Sequence, residues 1–428
     1  MRIVIVGNGV AGITAALTAR QRDRAAQITV VGGETEYFFS RTALMYAFMD
    51  RMSRADLEPY ERRVYKEQRI NLVHDWVVDH HAGPREVKLS RGGTLGYDRL
   101  VLALGAAPNR FAWEGLDTVS EGVVHFVSMQ DLDACERLTP STRRAVVVGG
   151  GLIGIELVES LVHHGVHVTF LIREPWYWPL ALGREEGDLV AEHMRSHGVD
   201  VRLSDEIRRI EADGTGRVKA IHTSRGEILE CQTLGICVGV RPNIDRVKAF
   251  TDAPALGRGI LVDEQLRTSL PDVYAVGDCA EIKPAEGRSF IEMIWYSAKR
   301  QGRHVAGNLF GDGARYSPPI FFNSSKFMDI EYTTVGQVMT LPAGTPTLFR
   351  RLPGRNVSQR IVHDGERVLG FNMLGSRWNH EILERWVAER RSLDFVRENL
   401  AAAQYDVEFG RAQLGSFEES AIPLGKET

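Results

Sequence analysis

The sequence is poor in cysteine. Its four cysteines, Cys135, Cys231, Cys237 and Cys279, form no CxxC pair and no Cys/His cluster. That excludes a disulfide scaffold and a cysteine-built zinc site, makes reduced thiols the default, and leaves no metal site to predict. Cys231 and Cys237 fall in or beside an apolar strand with no base near them in sequence, so both are expected as buried small hydrophobes. Long apolar runs are missing as well. Nothing approaches eighteen uninterrupted apolar residues, and with the first strand starting at Arg2 there is no room for a leader, so the expected location is the cytoplasm. Charge of one sign is also lacking: 52 basic residues stand against 56 acidic ones, for a net charge of −4 and no polybasic run. Neither nucleic acid nor a membrane surface is expected as a partner. What remains, 43% hydrophobic and 25% charged, is globular material for two or three domains.

The opening MRIVIVGNGVAG carries the first positive signal. Ile3 to Val6 form an apolar run that enters Gly7, Gly9 and Gly12, and the small-residue helix ITAALTAR follows. A strand, a glycine turn and a helix start let the backbone close on a pyrophosphate, whose charge the free N–H groups of the helix stabilise. The same pattern recurs 142 residues later in RAVVVGGGLIGIELVESL, with Gly149, Gly151 and Gly154. Two copies in one strand–turn–helix context predict two dinucleotide sites.

Each copy should place an acidic residue at the end of its next strand to hold ribose hydroxyls. Both lack it. Gly32 fills the first place, where Glu34 either substitutes or is an exposed loop residue; Ile172 fills the second and Arg173 follows. Arg173 either neutralises a 2′-phosphate, which favours NADPH, or pairs with Glu174. Residues 54–68 read as a charged helical excursion, 129–137 as a helix, and 199–239 as an antiparallel excursion. YAVGD delivers Asp278 at a turn, to hold cofactor hydroxyls or to cap the turn, ahead of a helical stretch containing Trp295. Beyond about Pro318 several antiparallel strands and a helical pair predict a separate α+β domain, and the final fifteen or so residues a loose tail.

These motifs together resemble the two-dinucleotide-fold flavoprotein reductases of the pyridine nucleotide–disulfide oxidoreductase superfamily. GNGVAG, YDRLVLALG, GGGLIG, GVRPN, VYAVGDCA and KFMDIEYTTVGQV carry the resemblance over nearly the whole chain. It implies an α/β fold with two Rossmann-like dinucleotide-binding domains, the second inserted in the first, plus a C-terminal α+β dimerisation domain. The implied extents are 1–112 and 258–318 for FAD, 113–257 for NAD(P)H, and 319–428 for the interface of a homodimer. Implied FAD contacts are Gly7, Gly9, Val10, Ala11, Gly12, Glu34, Arg41, Val78, Ala103, Gly105, Asp278 and Trp295. Those to NADPH or NADH are Gly149, Gly151, Leu152, Ile153, Gly154, Arg173 and Gly239.

Departures from the family pattern define the subclass. Disulfide reductases carry CxxxxC, and NADH oxidases one cysteine, where this chain reads Phe39-Ser40-Arg41-Thr42-Ala43-Leu44. That stretch is more similar to the arginine-containing segment of ferredoxin, rubredoxin and nitrite reductase flavoproteins. The resemblance therefore implies an FAD-dependent NAD(P)H oxidoreductase that passes electrons from flavin directly to an external acceptor, a ferredoxin-like protein or a small molecule. The alternative is a weakly catalytic, NAD(P)H-sensing flavoprotein that acts through partner binding. The implied catalytic positions are Arg41, Tyr46, which stands where relatives carry a lysine, and Glu156, which either contacts the nicotinamide amide or lies on a polar helix face. Trp176, Tyr177 and Trp178 either stack on an adenine or anchor a loop. His380 and Glu381, adjacent on a helix and so about 100° apart, cannot form an acid–base pair and are assigned to the C-terminal surface.

Overall fold

The computed structural model describes residues 1–339, 341–352, 354–405 and 417–421. In chain order the first principal elements are β1 (Arg2–Val6), α1 (Val10–Arg22), β2 (Gln27–Val31), β3 (Ile70–Val73) and β4 (Arg99–Leu102). Then come α2 (Met129–Leu138), β5 (Arg144–Val148), α3 (Leu152–His163), β6 (His167–Ile172), α4 (Arg184–Ser196), β7 (Asp200–Leu203) and β8 (Thr233–Ile236). β9 (Val273–Ala275) and α5 (Trp295–Asn308) precede the last strands, β10 (Phe322–Phe327), β11 (Ile330–Gly336), β12 (Pro346–Arg351), β13 (Ser358–His363) and β14 (Val368–Leu374). Helices α6 (His380–Ala388) and α7 (Leu393–Asn399) and the strand β15 (Glu418–Ala421) complete the set.

Contacts divide the chain into two compact units. The first comprises Met1–Arg110, Phe126–Glu136 and Gly239–Pro318; the second comprises Phe111–His125, Arg137–Val238 and the chain from Pro319 onward.

In the first unit a parallel sheet runs in the order β9-β4-β1-β2-β3. The four residues Ile3 to Val6 are buried, as a central parallel strand covered on both faces demands. Helix α5 lies on α1: a Cβ at Gly302 would come 2.4 Å from the Ala11 carbonyl oxygen, so the close approach of the two helices depends on a missing side chain. A two-stranded ribbon pairs Ala106–Pro108 with Val240–Pro242, and within it the Asn109 N–H donates to Gly239 O at 3.0 Å.

The second unit repeats the plan. Its parallel sheet runs β7-β6-β5-β8, ending on the short strand Val123–Val124. The repeat extends past the glycine motif: an antiparallel three-stranded meander precedes the return strand in both units, at Val77–Gly96 before β4 and at Ile207–Glu230 before β8. This corrects the reading of 199–239 as antiparallel throughout. β7 pairs in parallel with β6 at the sheet edge, and β8 in parallel with β5, where all four of its residues are buried inside the α/β layer. A six-stranded antiparallel sheet, in the order β10-β11-β14-β13-β12-β15, completes this unit with α6 and α7.

The expected tail is also corrected. Glu418–Ala421 pair with Pro346–Phe349 as an edge strand, although their composition has no strand periodicity to announce it; 414–416 and 422–428 of that tail lie outside the described residues. Among the described residues no helix is long and apolar enough to cross a membrane.

Candidate functional site: two glycine cradles

Both glycine turns close in the same way. The Gly7 N–H donates to Val31 O at 2.7 Å, and that of Gly149 to Leu171 O at 3.1 Å. Gly7 and Gly149 adopt φ of +110° and +111°, and a Cβ there would strike the carbonyl oxygens of Ala103 and Cys237 at 2.0 and 2.2 Å. No side chain fits either position. A Cβ on the third glycines, Gly12 and Gly154, would likewise strike the carbonyl oxygens of Gly7 and Gly149 at 2.0 and 2.1 Å. The middle glycines are different: nothing stands within 4 Å of a Cβ built on Gly9 or Gly151. These two residues precede α1 and α3, and neither helix has a side-chain cap. Each helix therefore offers free N–H groups into open space, as an approaching diphosphate requires.

At Gly32 the missing ribose acid has a packing counterpart. The Asn8 side chain fills the place where a Cβ on Gly32 would sit, meeting it at 2.3 Å, and is held there by a hydrogen bond from Asn8 Nδ2 to Thr35 O at 2.7 Å. In the second cradle the sizes are exchanged: Gly150 is the small partner, and a Cβ there would lie 2.9 Å from Cγ2 of Ile172. Asn8 is a residue that sequence reasoning passed over. Its only signal is the asparagine in GNG, whose partner lies a full strand away.

Around the first cradle the structure brings together Glu34, Arg41, Ala11, Asp278 and Trp295. Arg41 donates to both Glu34 carboxylate oxygens at 3.0 and 2.7 Å and also to Val127 O, while the Met129 N–H donates to Glu34 Oε1 at 2.9 Å. Glu34 thus fixes Arg41 and the start of α2. Gly277, at φ +75°, lies against the Ala11 side chain and places Asp278 beside the cradle. Burial pushes the Asp278 carboxyl up to about 6, against the pull of Arg41. At the start of α5 the Trp295 indole N–H is buried without an acceptor among the described residues. Glu292 accepts there from Ser297, Gln301 and Tyr316 at 2.8–3.0 Å, and the Gln301 side chain accepts from Gly277 N–H at 2.7 Å. Tyr46 follows Arg41 on the short helix Leu44–Phe48. Gly105 is fixed by Asn243, whose N–H donates to its carbonyl at 3.0 Å; Ala103 is buried at the end of β4. Val78 stands exposed on the first strand of the meander, next to Trp76, whose ring covers Gly33 and carries the Arg246 guanidinium 4.3 Å from its centre. Trp76 is a second residue that the sequence did not flag.

In the second unit Leu152 and Ile153 open α3 and Glu156 follows one turn on. Burial raises the Glu156 carboxyl to about 8; Lys326 pulls it down and Glu159 adds to the rise. Lys326 donates to Glu159 and, at 3.0 Å, to Met328 O. No pattern links Lys326 to α3, because a sheet 167 residues away supplies it. Arg173 is exposed and donates to Glu174 at 3.1 Å. Trp176, Tyr177 and Trp178 act as a loop anchor: the Tyr177 ring packs edge-on against Phe327, Trp178 against Phe327 and Tyr332, and the Trp176 indole donates to Leu182 O at 3.1 Å. His380 stacks on Phe322 with centroids 4.3 Å apart. None of the four cysteines is in a disulfide and all are buried, and burial raises the Cys231 and Cys279 thiols to about 12.

The open middle glycines, the unsatisfied indole of Trp295 and the free helix N-termini all fit dinucleotide cofactors. A sequence profile of the pyridine nucleotide-disulphide oxidoreductases matches residues 1–302. The chain belongs to this family. Terpredoxin reductase of a Pseudomonas species is 29% identical over 403 residues, which cover 92% of this chain and 94% of that protein. The ferredoxin reductase subunit of 5,5′-dehydrodivanillate O-demethylase from a Sphingobium species is 30% identical over 339 residues, covering 78% and 81%. Among solved structures, the covalent putidaredoxin reductase–putidaredoxin complex superposes with a TM-score of 0.83 over 94% of this chain and 98% of that one; its 23% identity speaks for the fold alone. This member of the family is an FAD-dependent NAD(P)H oxidoreductase, with two Rossmann-like α/β modules.

Proposed function

We propose that this reductase passes electrons from its flavin straight to a ferredoxin-like protein, with no thiol between, and that it works in the cytoplasm as a homodimer formed through residues 319–428. The observation that carries the proposal is the doubled cradle, Gly9 and Gly151 both open before uncapped helices, in a chain whose four cysteines are all buried. The names of the two relatives above, one a terpredoxin reductase and one a ferredoxin reductase subunit, support a protein acceptor.

In this reading 1–112 with 258–318 hold FAD and 113–257 hold NAD(P)H. Bound FAD and NAD(P)H supply hydride transfer and onward electron transfer. The N–H groups of Val10, Ala11 and Gly12 receive the FAD diphosphate, and those of Leu152, Ile153 and Gly154 the other nucleotide. Asp278 binds flavin hydroxyls. Val78, Ala103, Gly105, Trp295, Arg41 and Tyr46 form the walls of the flavin site, and Gly239 the turn beside the nicotinamide nucleotide. Glu156, protonated up to about pH 8, donates a hydrogen bond to the nicotinamide carboxamide.

Steady-state assays of the FAD-loaded protein with ferredoxin, rubredoxin, quinone, ferricyanide and oxygen test the proposal. A ferredoxin-class acceptor should be reduced at least about tenfold faster than oxygen. Trace rates with every acceptor, combined with tight nucleotide-dependent complex formation, would instead establish the sensing flavoprotein.

A further inference from the structure

One side-chain cluster in the second unit takes no part in redox chemistry. His193 lies near the end of α4 and His197 caps it one turn on, so the two rings share a face. Asp329, in the tight turn between β10 and β11, reaches the same face. One nitrogen from each imidazole and one carboxylate oxygen all lie within 4.8 Å of one another. His193 is buried, whereas His197 and Asp329 are exposed, which leaves a path in from solvent.

The outer ring nitrogens are already held. His197 Nδ1 lies 3.0 Å from the carbonyl oxygen of His193, so Nδ1 carries the proton and Nε2 keeps its lone pair. His193 Nε2 meets Asp329 Oδ1, while its Nδ1 lies 2.7 Å from the side-chain amide of Asn356. That amide can turn to accept the proton at Nδ1 and free Nε2 for a ligand bond. Support of the far ring nitrogen by a carbonyl or an amide is what orients imidazoles toward a metal.

We propose that His193, His197 and Asp329 bind one divalent transition ion of the zinc class. Two imidazoles with one carboxylate suit zinc, nickel or copper, whereas magnesium and calcium select oxygen alone. Three protein ligands leave a fourth position for water. The ion would clamp α4 to the β10–β11 hairpin. Because Met328 O in that turn accepts from Lys326, the clamp also braces the strand that carries Lys326 to Glu159.

The test is a zinc titration of the FAD-loaded full-length protein, stripped of metal beforehand and read against a chromophoric chelator. Wild type should bind one zinc per chain with a dissociation constant of about 1–10 μM or below. It should also melt at a higher temperature with zinc than without. His197→Ala and Asp329→Asn alter exposed side chains, so both should keep their flavin absorbance and metal-free melting temperature, yet bind at least about tenfold more weakly and lose the zinc-induced rise. His164→Ala, elsewhere on the surface, should bind like wild type. No binding below about 100 μM, or equal affinity in wild type, H197A and D329N, overturns the proposal.

Discussion

The modules at residues 1–102 and 144–236 share a plan, and one pair of side chains is exchanged between them. Both run strand, glycine turn, helix, strand, meander and return strand, and both close their turns onto the neighbouring strand. The residue between the first two glycines is large in one, Asn8 over Gly32, and small in the other, Gly150 under Ile172. The cradle is therefore fixed by backbone clashes that admit only glycine, whereas the place that usually holds a ribose acid is free to trade volume with its neighbour. In the first module the Asn8 side chain leaves no room for an acid at Gly32, and in neither module does the exchange touch the open Gly9 or Gly151.

Six substitutions probe the two modules, and the glycines should matter most. Gly7→Ala drives a Cβ into the Ala103 carbonyl and should yield protein purified without flavin. Gly149→Ala, with the same clash in the other module, should retain flavin absorbance while its KM for NAD(P)H rises at least about tenfold. Loss of flavin from both variants would mean that the two modules do not divide the cofactors between them.

The exchanged pair comes next. Gly32→Asp meets the Asn8 side chain and should weaken FAD binding about tenfold or more in an equilibrium titration; adding Asn8→Gly should recover most of that loss. An additive double variant would show that Asn8 is not the obstacle.

Glu156 offers a pH signature. Its folded pKa of about 8 lies above the ordinary 4.5, so the fold favours the neutral acid. The stability this contributes is intact below about pH 4.5 and lost as the pH climbs through about 8. Chemical denaturation across that range should show wild type weakening and Glu156→Gln following a flatter course. Parallel curves would place Glu156 in contact with water.

The smallest effect is expected at Arg173, an exposed side chain that donates to Glu174. Arg173→Glu should raise the KM for NADPH several-fold more than that for NADH, since a carboxylate repels the 2′-phosphate. An equal rise for both removes Arg173 from nucleotide selection.

The glycine motifs, the helices behind them and the C-terminal strands were legible because each is written in local periodicity. β7 was misassigned because an edge strand of four residues carries little pattern, and Glu418–Ala421 because pairing with a distant partner, not composition, makes them a strand. Arg41, Asp278 and Trp295 could be named from motifs, and Glu34 as a substitute ribose acid or an exposed loop residue, but its bonds to Arg41 and Met129 were not legible. Asn8 against Gly32, Lys326 on Glu159, and His193 with Asp329 across 136 residues were invisible, since each depends on a contact that only the folded chain makes.

Reductive titration tests the claim of a thiol-free flavin reductase most directly. Under anaerobic conditions the FAD-loaded protein should lose its oxidised flavin absorbance with one equivalent of NAD(P)H per flavin, and its four cysteines should remain unchanged in a thiol count taken before and after. Uptake of a second equivalent, with two new thiols appearing, would reveal a disulfide relay and contradict direct transfer from the flavin.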